Sequence, residues 1–167
     1  MPCENQDINP AIKYTKYVNK ELALNTTNMT GLEIMQAMEQ EVIPYPPIAE
    51  IVPMRLTEVD KGRIVFEVKA DKRHLNIFGG VHGGFSATVM DTVTCCALHT
   101  MLSAGTGYAT IDLSVKMLKP VPKEVRLLAV GTIINVSKSL GVSEGILKDE
   151  AGKIYVHATA TCMLFTN

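Results

Sequence analysis

The chain has 167 residues, of which 47 % are hydrophobic, and a net charge of −1; that is enough for one domain around one core, without the basic excess of a nucleic-acid binder. The first fifty residues hold three Lys and seven acidic residues, which leaves the remainder mildly basic, 13 Lys and Arg against 10 Asp and Glu, a balance that suits an anionic ligand better than a cationic one. Met1-Pro2-Cys3-Glu4-Asn5-Gln6-Asp7 lacks the basic start and apolar run of a secretory signal, and Cys3, Cys95, Cys96 and Cys162 show neither C-x-x-C spacing nor paired histidines. A cytoplasmic protein without a zinc site or a disulfide framework is expected.

Along the chain, residues 1–28 are polar and Asn-rich with no clear period, and 1–43 is read as an N-terminal extension carrying one short helix, ahead of a main domain at 44–167. Thr30 can cap that helix, predicted over Gly31 to Gln40 with Leu32, Met35 and Met38 at helical spacing, and Pro44-Tyr45-Pro46-Pro47 stops it. Extended chain is predicted from Ile48 to Thr57, then a turn at Val59-Asp60-Lys61-Gly62. A strand follows from Arg63 to Ala70, in which Ile64, Phe66 and Val68 alternate with Val65, Glu67 and Lys69.

Asn76 to Gly84 is a loop with four glycines, and no Gly or Pro follows until Gly105. The pattern predicts a helix from Gly84 to Leu102, about 28 Å long at ~1.5 Å per residue. It is apolar nearly all round, and Asp91, four Thr and His99 within it favour a buried core helix over a membrane span. After Gly107 everything reads as strands. Ile111, Leu113, Val115 and Met117 alternate with Thr110, Asp112, Ser114 and Lys116; further strands are expected at Val125 to Val136, Leu140 to Lys148 and Lys153 to Phe165. Two strands, a long helix and four strands imply an α+β domain, a mostly antiparallel sheet wrapped around the helix.

Between Leu75 and Ile111 the only Asp, Glu, Lys or Arg is Asp91. An isolated helical Asp is more often a solvated residue or one tied to backbone. Here its neighbours Thr88, Val89, Met90, Thr92, Val93, Thr94 and Cys95 make no solvated face, and an ionised carboxylate in such surroundings is costly unless something uses it. Gly83 and Gly84 open the helix, and their N–H groups are among the unpaired donors of a first turn, able to polarise a carbonyl and stabilise an oxyanion. Taken alone, a Gly-Gly pair is only a tight turn. Asp91 shares its side of the helix with Gly84, Ala87, Thr88 and Cys95, small residues that permit close approach of another chain, while Phe85, Val89, Val93 and Cys96 should enter the core. Two turns separate Asp91 from the Gly83 amide by roughly 12 Å, too far to act on one carbonyl, so a two-fold partner with its helix antiparallel is expected to complete the site.

Asn76-x-x-x-x-Val81-His82-Gly83-Gly84-Phe85-x-Ala87-Thr88-x-x-Asp91, followed by Tyr108-Ala109-Thr110-Ile111-Asp112-Leu113-Ser114-Val115 and Leu118-Lys119-Pro120-Val121, resembles the PaaI-like hotdog-fold thioesterases, relatives of the phenylacetyl-CoA and 4-hydroxybenzoyl-CoA enzymes, over about residues 44–165. The resemblance implies an acyl-CoA thioesterase acting on a medium-chain, long-chain or aryl acyl-CoA. Asp91 would be nucleophile or general base and Gly83 the amide on the thioester carbonyl. Asn76 would help hold water or thioester, His82 would support the loop and carbonyl, and Thr110 would assist at the water. It further implies no metal or prosthetic group, and a homo-oligomer, usually a dimer of dimers, with sites shared between chains. Gly84 and the Ser137-Lys138-Ser139 turn fall where relatives contact substrate, the turn near the CoA phosphates, although such a turn is commonly just solvated. Ile77 stands where the family often has Pro. His74, His99 and His157 are expected to be structural, and Cys95 and Cys96 to be small core residues. Two other readings compete: a non-catalytic acyl-CoA-binding hotdog protein, and a hotdog hydratase or dehydratase. Ile77, Phe78 and Phe85 could line an acyl tunnel, although core packing would explain them equally.

Overall fold

In the computed structural model, which describes residues 26–166, six antiparallel strands form one curved sheet around a long helix. The elements are α1 (Gly31–Glu39), α2 (Ile48–Ile51), β1 (Met54–Asp60), β2 (Arg63–Val68), α3 (Gly83–His99), β3 (Thr106–Met117), β4 (Leu127–Val136), β5 (Leu140–Lys148) and β6 (Ile154–Thr166). The strand order is β1-β2-β4-β5-β6-β3, so β1 and β3 are the edges. This is the expected α+β hotdog architecture. The reading of residues 1–28 falls, except for its last three positions, outside the described residues. No helix among the described residues is long and apolar enough to cross a membrane.

Thr30 caps α1 as expected: its hydroxyl accepts from the Glu33 amide while its own amide donates to Glu33 Oε2 at 2.7 Å, a reciprocal box. The stretch after Pro47 is a correction. Pro47 sits at φ −54° and ψ −25°, the helical geometry its ring favours, and Ile48–Ile51 form one helical turn instead of extended chain. β1 begins only at Met54 and runs on to Asp60, which shrinks the predicted turn to Lys61-Gly62, with Gly62 at φ +79°.

The long helix starts at Gly83 and ends at His99, shorter than predicted at its C-terminus. Phe85, Val89, Met90, Val93, Thr94, Ala97 and Leu98 are buried, whereas Asp91, Ala87 and Thr88 stay partly exposed. The apolar stripe is seated unusually close to the sheet. A Cβ at Gly131 of β4 would collide with the Val93 carbonyl, and one at Gly141 of β5 with the Leu98 side chain. At Gly131 glycine is required because the helix backbone itself occupies the space.

β3 departs from the strict alternation expected. A bulge falls at Ile111, for Thr110 pairs with Cys162 and Asp112 with Thr161. The extra residue shifts the parity: Tyr108 and Thr110 reach α3 before the bulge, and Leu113 and Val115 join the core after it. Ile111 itself is 58 % exposed.

Gly131→Ala should therefore lower stability by about 1–3 kcal/mol, the range for overpacking a core, seen as a fall of at least ~3 °C in Tm. Thermal unfolding with an unchanged Tm would show that α3 can move away from β4 without penalty.

Candidate active site

The Asn76–His82 loop leads into the helix and is built by one side chain. Asn76 Oδ1 accepts from the amides of Phe78 (2.9 Å) and Gly80 (3.2 Å), its backbone amide donates to the Gly80 carbonyl, and Leu75 and Val81 bridge across the base. Gly79 at φ +77° makes the tip possible. Its two apolar residues point to solvent, Ile77 being 92 % and Phe78 90 % exposed, so neither lines a tunnel within this chain; Phe85 is buried in the core against His74. Asn76 Nδ2 makes no hydrogen bond among the described residues, which leaves an amide donor available.

His82 is the N-cap of α3. Its Nδ1 accepts from the Gly84 amide at 2.8 Å, so in the neutral ring the proton resides on Nε2. The Gly84 N–H, expected among the unpaired donors of the first turn, is thus committed to the cap. Gly83 N–H has no acceptor among the described residues, and the Met117 thioether occupies the space that a side chain at position 83 would need. The helix therefore offers one free first-turn amide with the dipole behind it. An open cleft of about 240 Å³ lies alongside, lined by Arg73, His82, Gly84 and Thr88 among others.

Two turns further on, the Thr110 hydroxyl donates to Asp91 Oδ1 at 3.0 Å. Cys95, one turn beyond Asp91, completes a cluster: its Sγ lies 3.1 Å from Thr110 Oγ1, 3.7 Å from Asp91 Oδ1 and 3.5 Å from the Sγ of Cys162 on β6. The sequence reading left both cysteines out of the site. The i, i+4 spacing from Asp91 was the available signal for Cys95, whereas Cys162 is 67 residues away and joins only through the β3–β6 register. Hydrogen bonding with Cys162 and burial push the Cys95 thiol far above the ordinary thiol range, with the Asp91 charge adding to the effect, so it stays protonated and is no nucleophile.

The chain alone does not unite every expected residue. β3 runs antiparallel to α3, with Thr110 beside Asp91 and Met117 beside Gly83, and these two points are separated by roughly 12 Å of helix. Ser137-Lys138-Ser139 forms the β4–β5 turn, where the Ser137 hydroxyl bonds the Leu140 backbone. The turn lies at the opposite, C-terminal end of α3: Gly141 abuts Leu98, and the Leu164 amide donates to the Ser139 carbonyl. Of the three histidines set aside as structural, His74 binds the Asp71 amide and approaches the Ile51 carbonyl, His157 approaches Glu144, and His99 stacks on Tyr108.

Residues 78–156 match the model of the thioesterase superfamily. Acyl-coenzyme A thioesterase 13 of Homo sapiens is 23 % identical over 107 residues, 64 % of this chain and 76 % of that protein. The crystal structure of a phenylacetic acid degradation-related protein from Ralstonia eutropha JMP134 superposes with a TM-score of 0.71 at 26 % identity, covering 77 % of this chain and 98 % of the other. A Streptococcus mutans protein solved bound to acetyl-CoA has the same fold, with a TM-score of 0.63 at 19 % identity over 68 % of this chain and 90 % of that one.

Alkylation of the folded protein with iodoacetamide at about pH 8 should leave Cys95 unmodified, because its raised pKa keeps the thiolate scarce and burial hinders access. Peptide mass spectrometry reads the outcome; rapid labelling of Cys95 before unfolding would contradict the cluster described here.

Proposed function

We propose that this chain, a PaaI-like hotdog-fold relative of the thioesterase superfamily, is an acyl-CoA thioesterase that converts an acyl-CoA and water to a free acid and CoA. The observation that carries this reading is a half-open carboxylate, Asp91, oriented by the Thr110 hydroxyl on a helix whose first amide is free. The acyl-CoA ligand class is supported by the names and bound ligands of the proteins this chain resembles.

The chemistry follows from these groups. The thioester carbonyl accepts from Gly83 N–H, and the helix dipole stabilises the negative charge that develops on its oxygen. Asp91 takes a proton from a water as the water attacks, while Thr110 fixes which carboxylate oxygen faces it. The tetrahedral intermediate collapses, the C–S bond breaks, and CoA leaves as a thiolate that a proton then neutralises. Direct attack by Asp91, through an anhydride that water later opens, uses the same residues. Asn76 Nδ2 and His82 Nε2–H are the remaining donors at the loop end for water or carbonyl. No metal or prosthetic group takes part in this scheme.

The distance between Asp91 and Gly83 makes the site a product of two chains. β3 is an edge strand that exposes Ile111 and Met117 beside its unpaired backbone groups, which suits pairing with a second copy. A homodimer built there, alone or as half of a dimer of dimers, brings Asp91 of one protomer towards Gly83 of its partner. Ser137-Lys138-Ser139 then contributes to binding the CoA end across the assembly. A cytoplasmic location fits a CoA thioester substrate.

Asp91→Asn should fold normally and still bind acyl-CoA yet lose turnover by on the order of 10²-fold or more, with chelators leaving the wild-type rate unchanged. Thiol release within a few-fold of wild type would remove Asp91 from the chemistry, and zinc-restored activity after chelation would overturn the metal-free scheme.

Asn76→Ala and Asp91→Asn, each inactive, should complement one another when unfolded and refolded together at equal amounts. In a mixed dimer one site receives both lesions and the other neither, so roughly a quarter of wild-type activity returns by two-fold statistics. Inactive mixed dimers would place both residues in one chain's site.

A further inference from the structure

We propose that α1 and the segment after it roof a chamber that holds a straight aliphatic acyl chain of medium length, and that this N-terminal segment sets the chain-length preference of the enzyme. The inference rests on the thioesterase reading above and narrows its acyl group.

An apolar cavity of about 230 Å³ lies between α1 and α3. Met35 and Met38 of α1 and Ala49 of α2 form its roof, and Phe66 of β2, Cys96 of α3 and Tyr108 of β3 its floor. No Asp, Glu, Lys or Arg lines it, which excludes the phosphates of CoA and favours the other end of the substrate. Burial lowers the pKa of His99 in the same wall, so that residue also stays neutral.

The cavity adjoins the reactive cluster. Thr92 and Cys96 in its wall each follow a cluster residue, Asp91 and Cys95, by one position, and Tyr108 reaches α3 from the same side of β3 as Thr110. An acyl chain whose carbonyl lies at Asp91 therefore continues towards the C-terminal half of α3 and under α1. The roof is pinned at both ends. The Gly31 amide donates to the Leu102 carbonyl at 3.0 Å, and the Tyr45 hydroxyl accepts from the Leu56 amide at 2.9 Å.

Volume sets the length. A cavity of about 150 Å³ holds benzene, roughly 25 Å³ per carbon, so this chamber of about 230 Å³ matches about nine carbons, fewer than a long-chain tail carries. Ile34, Met35, Met38 and Met54 supply flexible aliphatic walls that repack around a chain.

A panel from acetyl-CoA to palmitoyl-CoA, with benzoyl-CoA included, should give a maximum of kcat/KM near eight to ten carbons and at least a tenfold fall at sixteen carbons and for benzoyl-CoA. Met38→Trp and, independently, Ala49→Leu should fill the chamber and shift the optimum down by about two carbons or more; Met38→Ala should shift it up. As a readout independent of turnover, octanoate titrated into protein carrying ¹³C-methyl methionine should move the Met35, Met38 and Met54 signals and leave Met163, on the outer face, unmoved. If no acyl-CoA is hydrolysed but those methyl signals move, the thioesterase reading falls and the chamber stands. If acyl-CoAs are hydrolysed with an optimum that ignores folded variants, or with benzoyl-CoA or palmitoyl-CoA preferred, or if the three methyl signals stay silent, the chamber is overturned.

Discussion

The structure depends on one constraint: α3 is apolar nearly all round and must be enclosed by a sheet that comes from the same chain. A flat sheet covers one side of a helix. This one curves, and Gly131 lets the helix backbone press directly onto β4 while Gly141 makes room for the Leu98 side chain on β5. Closeness on that side leaves the opposite stripe, Gly84, Ala87, Thr88 and Asp91, the least covered part of the helix. The proposed chemistry falls on the face that the fold does not close with its own strands. Burying most of a helix and exposing one carboxylate are thus a single solution.

The bulge at Ile111 reconciles two demands on β3. Core packing needs Leu113 and Val115 turned towards α3, and the site needs Thr110 turned the same way, yet their numbers differ in parity. A regular strand satisfies one or the other. With the bulge both are met, at the cost of an exposed isoleucine on a free edge.

This explains what was and was not legible in the sequence. Alternation located the core of β2, β3 and β6, and the uncharged stretch around Asp91 located the long helix, because burial leaves its mark on every residue of an element. Local backbone exceptions left weaker marks. The alternation from Thr110 to Met117 looks regular across the bulge, so the sequence reading set Thr110 and Leu113 on opposite faces. Pro47 was read as the end of one helix when it also starts another turn. Asp91 and Gly83 stood out because a charge and a pair of glycines are rare in such a context. Cys95 and Cys162 did not, since a buried cysteine looks like any small apolar residue until the strand register brings a second thiol and a hydroxyl to it.

The Cys95 cluster bears on how Asp91 can act. A carboxylate on a largely buried helix needs donors to remain charged, but strong ion pairing would make it a poor base. Thr110 supplies one neutral hydrogen bond, and Cys95, held as a thiol by its own environment, supplies a weak one at 3.7 Å. Among the described residues no Lys, Arg or His joins the cluster. The same thiol ties Asp91 on α3 to Thr110 on β3 and Cys162 on β6, so the position of the carboxylate is set by three elements at once. The proposed base is thus a firmly placed carboxylate, and its placement comes from packing a polar pair beside sulfur instead of beside a cation.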